Sequence, residues 1–491
     1  MRILFIYNGA EQLGIEYLSS VLKSKGHKTR LLFDPAIFSG DQLIHNQFLS
    51  KLFSRDKEII KRAVTIRPDL VAFSAHSGNY RWCLKIAQEI RQLTQIPIVF
   101  GGVHATAVPE KVLLNDFIDY VVIGEGENAI LDLIGQLGKG KSKRRLLNIS
   151  NLCFKYKGEI HLNAPRPYIK DLDKLPFPDK KLFYDKVPLL AENSLIMTSR
   201  GCPYRCTYCS NDMYCDLYSK EGRQVRRRSP ENVIEELKIA KRRWKTRFIN
   251  FGDDVFISST SWLKEFIPLY KFEINLPFFC SVHPLSISQE NVDLLKEGGC
   301  WMVTMGVQSG SERIRKKIYH RAGSNQQILK AIFLIKKAGI KMSVDNIFGA
   351  PSEKEKDLKQ SLKLYERARA DRIQTFWLTF YPRTKVIDYA RRYNLLTENN
   401  VKEIEDGIIG FTHATGSVNP NKIKMYLRYE TLFHLRSLFR NRDYSFFARF
   451  IPLFPFKKSV SRLIIFLTAL KNRDIKFFYL LRFLWANKDV P

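Results

Sequence analysis

Ser199-Arg-Gly-Cys-Pro-Tyr-Arg-Cys-Thr-Tyr-Cys-Ser210 is the stretch on which the reading of this chain turns. It sets Cys202, Cys206 and Cys209 in a C-x3-C-x2-C spacing, directly after the apolar run 195–198 that reads as a short buried strand. Three thiolates on one loop make an incomplete cage. A 4Fe-4S cluster normally takes four cysteines, so this spacing leaves one iron open to a ligand from outside the protein. Zinc is the competing occupant, but structural zinc sites usually pair two C-x2-C or Cys/His elements, and Cys215 is the one nearby candidate for a fourth ligand.

Working outward, 491 residues are too many for one ordinary core, and a chain of several domains is expected. With 45% hydrophobic and 26% charged residues the composition is globular. Its 8 cysteines are too few and too unevenly spaced for a disulfide framework, and a low-potential cluster implies a reducing compartment. Met1 leads straight into the strand-like run 3–7, without the charged start and cleavage site of a secreted chain, so a cytoplasmic location is expected. The net charge of +31 points to an anionic partner: nucleic acid, an anionic membrane or a phosphorylated substrate.

Residues 1–140 alternate strand signals at 3–7, 29–33, 70–74, 98–100 and 120–123 with helix signals such as 15–25 and 82–93. That alternation predicts an α/β, Rossmann-like domain built on a doubly wound parallel sheet. Ligands of such sheets bind at the carboxyl ends of the strands. Here those ends carry Asn8, Gly9, Ser74, Gly101, Gly102, Gly124 and Glu125, with His76 and His104 on the same loops. Taken singly, each is an ordinary turn. The absence of G-x-G-x-x-G argues against a dinucleotide.

Residues 141–190, entered through the basic stretch 138–145 and containing the proline-rich run 175–179, read as an interdomain linker. In residues 191–400 the alternation resumes, with strands expected at 195–198, 248–251, 278–280, 303–306, 342–347 and 375–380. Helices such as 230–243 and 326–338 separate them, the first opening with Ser229 as N-cap and Pro230 behind it. Asp253 and Asp254 follow the second strand, Gln308 and Ser309 the fourth, Asn346, Gly349 and Glu353 the fifth, and Arg383 the sixth. Paired carboxylates repel unless a cation lies between them.

The cysteine spacing, with aromatic Tyr208 before its last member, resembles the cluster motif of the radical S-adenosylmethionine (SAM) superfamily. Residues 13–18, 68–71, 101–106 and 124–127 look like the cobalamin-binding domain that precedes many radical SAM domains. The resemblance covers residues up to about 400 and implies a partial (β/α)6 barrel with a 4Fe-4S cluster on Cys202, Cys206 and Cys209 and SAM on the open iron. It further implies cobalamin along the strand ends of the first domain, without the histidine ligand that a D-x-H-x-x-G pattern supplies elsewhere. By the same resemblance Asp253, rather than its neighbour Asp254, accepts from the SAM amino group, and Ser309 contacts the SAM ribose or carboxylate. The run 346–353 lies beside the adenine, with Glu353 capping the next helix. Gln308 stands where relatives usually have glutamate, and Ser352 and Arg383 stand where glycine is common.

The implied activity is reductive cleavage of SAM to a 5'-deoxyadenosyl radical, with methyl transfer from methylcobalamin to an unactivated carbon of a small-molecule or lipid substrate. A flavodoxin or ferredoxin would supply the electron. The alternatives are an oxidative cyclase or rearrangement enzyme resembling the anaerobic cyclase of chlorophyll synthesis, and a non-catalytic cobalamin- or SAM-binding regulator. A tRNA methylthiotransferase would suit the basic charge, but the amino-terminal segment lacks the cysteine triplet for that family's second cluster.

Residues 401–491 form a basic-aromatic segment expected to be helical. The apolar run 463–470 is far shorter than a bilayer span. Its mixture of aromatics and cations suits a cap over the barrel, a peripheral contact with an anionic membrane or, less well, single-stranded nucleic acid.

Overall fold

The computed structural model describes residues 1–36, 54–138, 143–219, 225–408, 422–439, 458–472, 474 and 482. Two sheets, one mixed and one all parallel, organise it. The first contains β1 (Arg2–Asn8), β2 (Lys28–Asp34), β3 (Leu70–Ser74), β4 (Ile98–Gly101), β5 (Tyr120–Val122), β6 (Leu152–Tyr156) and β7 (Glu159–Leu162) in the order β2-β1-β3-β4-β5-β6-β7. β1 to β5 pair parallel, whereas β6 and β7 are antiparallel. The stretch expected to run between domains therefore contributes two strands to the first sheet. Ile3, Phe5 and Tyr7 enter the core on one face and Leu4 and Ile6 the core on the other. Burial on both faces is why these strands read as unbroken apolar runs. Because β2 and β3 flank β1, the topological switch point falls at the carboxyl ends of β1 and β3.

The second sheet has six strands in the order β15-β14-β13-β12-β11-β8. They are β8 (Asn193–Ile196), β11 (Phe248–Phe251), β12 (Phe278–Val282), β13 (Cys300–Gln308), β14 (Lys341–Phe348) and β15 (Arg372–Trp377). Every neighbouring pair is parallel. A short antiparallel pair, β9 (Ser199–Arg200) and β10 (Arg226–Arg227), flanks the cysteine loop. Ile249, Phe251, Cys280, Val282, Val303, Met305 and Val344 belong to one large core. Strand alternation leaves the intervening positions, among them Asn250, Ser281, Thr304 and Gln374, to the other face.

The helix Pro230–Trp244 starts as expected, with Ser229 Oγ accepting from Asn232 N at 3.2 Å. Beyond the barrel, the helix Ile423–Leu438 covers the β15 edge, and at its start Lys422 Nζ donates to Glu353 O, beyond the carboxyl end of β14, at 2.8 Å. Tyr426, Tyr429, Leu432 and Phe433 enter the barrel core. Ser437 Oγ accepts from the outer-edge Ile373 N at 3.0 Å, which removes an unpaired strand donor. The run 463–470 lies in the helix Lys458–Asn472, and among the described residues no helix is long and apolar enough to cross a membrane. The parts of the aromatic and basic mixture at 440–457, 475–481 and 483–488 lie outside the described residues.

Candidate functional site

The cysteine loop is tied down at Thr207. Its N–H donates to Tyr319 O at 3.1 Å, its hydroxyl to Ile318 O at 2.6 Å, and its own carbonyl accepts from Val386 N at 2.9 Å. Cys209 N donates to Cys206 O at 3.0 Å, and Cys209 is the N-cap of the helix Ser210–Leu217. A helix N-terminus favours the thiolate form of a cysteine placed there. Arg205 pairs with Asp212 and Asp216 on that helix, and Lys385 Nζ joins Asp212 at 2.9 Å. Tyr204 stacks on His283 with ring centroids 3.7 Å apart.

Burial pushes the Cys202 thiol up to about 12 and the Cys209 thiol up to about 11, with Asp254 and the sister thiols adding to it. Without a bound cation the loop therefore favours neutral thiols, and iron would supply the charge that deprotonates them. Among the described residues no three His, Cys, Asp or Glu side chains converge on a single metal ion. A cluster does not ask for that, because each thiolate holds a different iron. Three thiols on one short loop, two of them held neutral chiefly by burial, fit such a group and fit a lone ion poorly.

Around the loop stand two groups that no sequence spacing announces. Arg321, buried, donates from Nη1 to Cys206 Sγ at 3.5 Å and from Nε to Gly306 O at 2.8 Å. Gly306 makes room for it: a Cβ there would lie 2.6 Å from Gln308 Nε2 and 2.9 Å from Arg321 Nη2. Gln308 ends β13 at a register shift with a φ of 69°, which re-aims its side chain, and its Oε1 is buried without a hydrogen-bond partner. His283 Nε2 is likewise buried and unsatisfied. Orphaned buried polar atoms beside the thiols are what a site awaiting a polar occupant leaves behind.

The remaining expected SAM contacts divide. Asp253 is buried, and its carboxylate accepts from Thr198 N at 3.1 Å, Thr198 Oγ1 at 2.7 Å and Ser199 Oγ. It is spoken for by the strand end of β8. Asp254 instead is exposed and close enough to Cys202 and Cys209 to raise both thiols. Ser309 Oγ accepts from Ser311 N at 3.2 Å, and Asn346 Oδ1 from Tyr365 Oη at 2.8 Å, so both bond into the protein. The expectation that Glu353 caps the next helix does not hold. That helix, Glu355–Ala368, starts behind Lys354, whose N–H donates to Asp357 Oδ2 at 2.9 Å. The Glu353 carboxylate turns back to accept from Gly349 N at 2.9 Å.

At the switch point of the first sheet opens a cleft of about 390 Å³ whose wall comes from both domains. Ser74, His76, Gly101, Gly102, Gly124 and Glu125 line it from the first sheet, and Met197, Arg200, Gly201 and Asn211 from the cysteine side. Asn8 and Gly9 are not on its wall. Gly101, Gly102, Gly124 and Gly126 bring backbone to the wall between apolar Ile15, Leu18, Phe73 and Phe100, a lining that suits the face of a large planar group. Gly102 and Gly124 are also needed by the fold itself. A Cβ on Gly102 would lie 2.6 Å from Ala75 O and one on Gly124 2.0 Å from Tyr218 Oη, both at positive φ. His104 stands aside from the cleft: Nδ1 is 3.0 Å from Ser77 Oγ and Nε2 3.1 Å from Glu405 O.

Residues 6–134 match the B12 binding domain and residues 196–365 the radical SAM superfamily. The chain is 28% identical over 448 residues, 88% of its length and 91% of the relative's, to the uncharacterized methyltransferase PH0819 of Pyrococcus horikoshii. It is 24% identical to the anaerobic magnesium-protoporphyrin IX monomethyl ester cyclase of Rubrivivax gelatinosus, over 81% of this chain and 73% of that one. Among solved structures, the cobalamin-dependent S-adenosylmethionine radical enzyme OxsB with aqua-cobalamin and SAM bound shares the fold. The TM-score is 0.67 over 99% of this chain and 80% of that one, at 17% identity. With a B12 binding domain and a radical SAM domain in tandem, joined at one cleft, the chain belongs to the cobalamin-binding-domain radical SAM proteins.

Proposed function

We propose that the protein is a cobalamin-dependent radical SAM enzyme that moves a methyl group onto an unactivated carbon of a small molecule. The observation that carries this reading is the shared cleft: the ends of β3 and β4 and the residues flanking Cys202 line one space. When bound, the cluster with SAM supplies one-electron chemistry that opens a C–H bond, and cobalamin supplies a methyl carrier. The chain's part is to hold and orient. Cys202, Cys206 and Cys209 are assigned to the cluster. Asp254, rather than Asp253, is assigned to the SAM amino group, since Asp253 already accepts from Thr198 and Ser199. Arg321 and Gln308 are assigned to the SAM carboxylate and hydroxyls, because one is a buried cation and the other carries a buried unsatisfied oxygen. Ser74, Gly101, Gly102 and Glu125 are assigned to the cobalamin wall. Ser309, Asn346, Gly349 and Glu353 are assigned to holding the strand ends, since their hydrogen bonds run to Ser311, to Tyr365 and between Gly349 and Glu353.

Likeness over 91% of a methyltransferase's length favours methyl transfer, and likeness to the cyclase keeps oxidative ring formation as the second reading. Anaerobic reconstitution with iron, sulfide and hydroxocobalamin, followed by dithionite and SAM carrying a deuterated methyl group, tests both. Formation of 5'-deoxyadenosine with label passing to cobalamin is expected. No 5'-deoxyadenosine, or full SAM cleavage in any single Cys→Ala variant, overturns the enzymatic reading. Cleavage without label on cobalamin shifts the choice to the cyclase type.

A further inference from the structure

Between the cleft and the cysteine loop lies a small ionic lattice. Arg200, on β9, precedes Cys202 by two positions. Its Nη2 donates to Glu127 Oε1 at 2.6 Å and its Nη1 to Glu125 Oε1 at 3.3 Å, while its guanidinium sits 5.0 Å from the Tyr17 ring. Glu125 Oε1 also accepts from Arg226 Nη1 at 2.7 Å, and Glu125 Oε2 from Ile169 N at 2.9 Å. Arg226 stands 4.1 Å from the Tyr168 ring and pairs with Arg200 through the β9–β10 backbone. The four charged side chains are between 6% and 14% exposed.

Two cations and two anions balance, and the lattice is anchored at both ends. Glu125 and Glu127 belong to the loop that follows β5 and opens the helix Glu127–Gly138, on the cobalamin side. Arg200 belongs to the strand that delivers Cys202. Breaking one partner of a buried ion pair leaves an uncompensated charge and costs several kcal/mol, so such a lattice shifts as a unit instead of loosening pair by pair. Glu125, Glu127, Arg200 and Arg226 all lie on the cleft wall, where an occupant touches them.

We propose that Arg200 is a positioning residue that couples the occupant of the cleft to the geometry of the cysteine loop, so that cobalamin and SAM each strengthen the binding of the other. The proposal rests on the functional reading above. Coupling between two binding sites is reciprocal by thermodynamic necessity, so one factor must appear in both directions.

The test uses the reconstituted full chain and equilibrium dialysis. The SAM dissociation constant is measured with and without hydroxocobalamin, and the hydroxocobalamin constant with and without SAM. The expected factor is about fivefold or more and equal in both directions. The factor is a ratio of two constants within one protein, so in Arg200→Lys, which keeps the charge and loses the fork, it should fall to near one even where a ligand's own affinity shifts. Glu127→Gln, farther from the cysteines, should do the same if the arginine variant folds poorly. The low-temperature electron paramagnetic resonance signal of the reduced cluster should move when hydroxocobalamin is added to the parent and stay put in both variants. A factor of one in the parent, or an unchanged factor in both variants, overturns the coupling alone. Failure of either ligand to bind the parent at all overturns the coupling together with the functional reading beneath it.

Discussion

Arg321 Nη1 lies 3.5 Å from Cys206 Sγ, although 115 positions separate the two in the chain. A buried guanidinium at that distance offsets thiolate charge, and the potential of an iron-sulfur cluster follows its net charge and the hydrogen bonds to its sulfurs. Arg321→Gln removes the cation and keeps a donor. The cluster should therefore become harder to reduce, with a more negative midpoint in an anaerobic redox titration, and SAM affinity should fall about tenfold or more. An unchanged midpoint and unchanged affinity would remove Arg321 from the site.

The two aspartates after β11 should separate cleanly. In Asp253→Asn an amide N–H₂ replaces one carboxylate oxygen that now faces donors from Thr198 and Ser199, a buried mismatch worth about 2 to 4 kcal/mol of stability. Asp254→Asn, at an exposed side chain, should leave stability within about 0.5 kcal/mol. Its SAM affinity should nevertheless drop. Urea unfolding and SAM dialysis on both variants decide it, and the reverse pattern returns the SAM amino group to Asp253.

These two cases mark what the sequence could and could not yield. The cysteine triad was legible because its spacing is local and each thiol lies within seven positions of the others. Strand alternation was legible for the same reason, down to Ser229 capping its helix. Arg321 and Arg200 were not, since the first meets Cys206 across 115 positions and the second meets Glu127 across 73. Nor does a pair such as Asp253-Asp254 say which member turns inward. That choice is made by Thr198 and Ser199, on a neighbouring strand end, whose donors exist only once β8 and β11 are paired. The antiparallel β6 and β7 do carry a local signal, Lys157-Gly158 at positive φ between two short apolar-containing runs, but the basic stretch before them and the prolines at 175–179 after them read as connection.

Gly124 and Tyr218 form a testable contact. An added Cβ would lie 2.0 Å from Tyr218 Oη and 2.9 Å from Cζ at a φ of +67°. Gly124→Ala should cost about 2 to 4 kcal/mol, combining overpacking with backbone strain. Tyr218→Phe in that background should give back part of the loss, because only the hydroxyl clash disappears. Gly102→Ala should have no such rescue, since its obstacle is the Ala75 backbone. Denaturation of the double-mutant cycle measures the coupling, and strict additivity of Gly124→Ala and Tyr218→Phe would show that the contact does not matter.

Arg383 and Ser352 hold left-handed backbone, with φ of 61° and 65°. A side chain there costs about 1 to 2 kcal/mol, against which glycine loses under 1 kcal/mol of unfolded-chain entropy advantage. Arg383→Gly should therefore stabilise by about 0.5 to 1 kcal/mol. Ser352→Gly should be close to neutral, because it forfeits the hydroxyl that accepts from Arg313 Nη1 at 2.9 Å, a bond worth about 1 kcal/mol. Urea midpoints rank the two, and a greater gain at Ser352 would contradict this account.

Glu353 gives the pH dependence. Burial raises its carboxyl to about 7, against the opposing pull of the Gly349 N–H and the Tyr426 hydroxyl, from an ordinary value of 4.5. A folded-state pKa above the unfolded one means that the folded chain holds the proton more tightly. The associated stabilisation is complete below about pH 4.5 and is lost as pH rises through about 7. At 1.36 kcal/mol per pH unit the loss is on the order of 3 kcal/mol. Glu353→Gln keeps an oxygen for Gly349 N and carries no charge to bury, so its stability should be flatter over this window. The parent should accordingly lose ground to the variant between pH 5 and pH 8, measured as the difference in urea midpoint at each pH. Parallel midpoint curves for the two proteins would mean that the Glu353 carboxyl titrates alike in the folded and unfolded chain, and its burial would then have no consequence for stability.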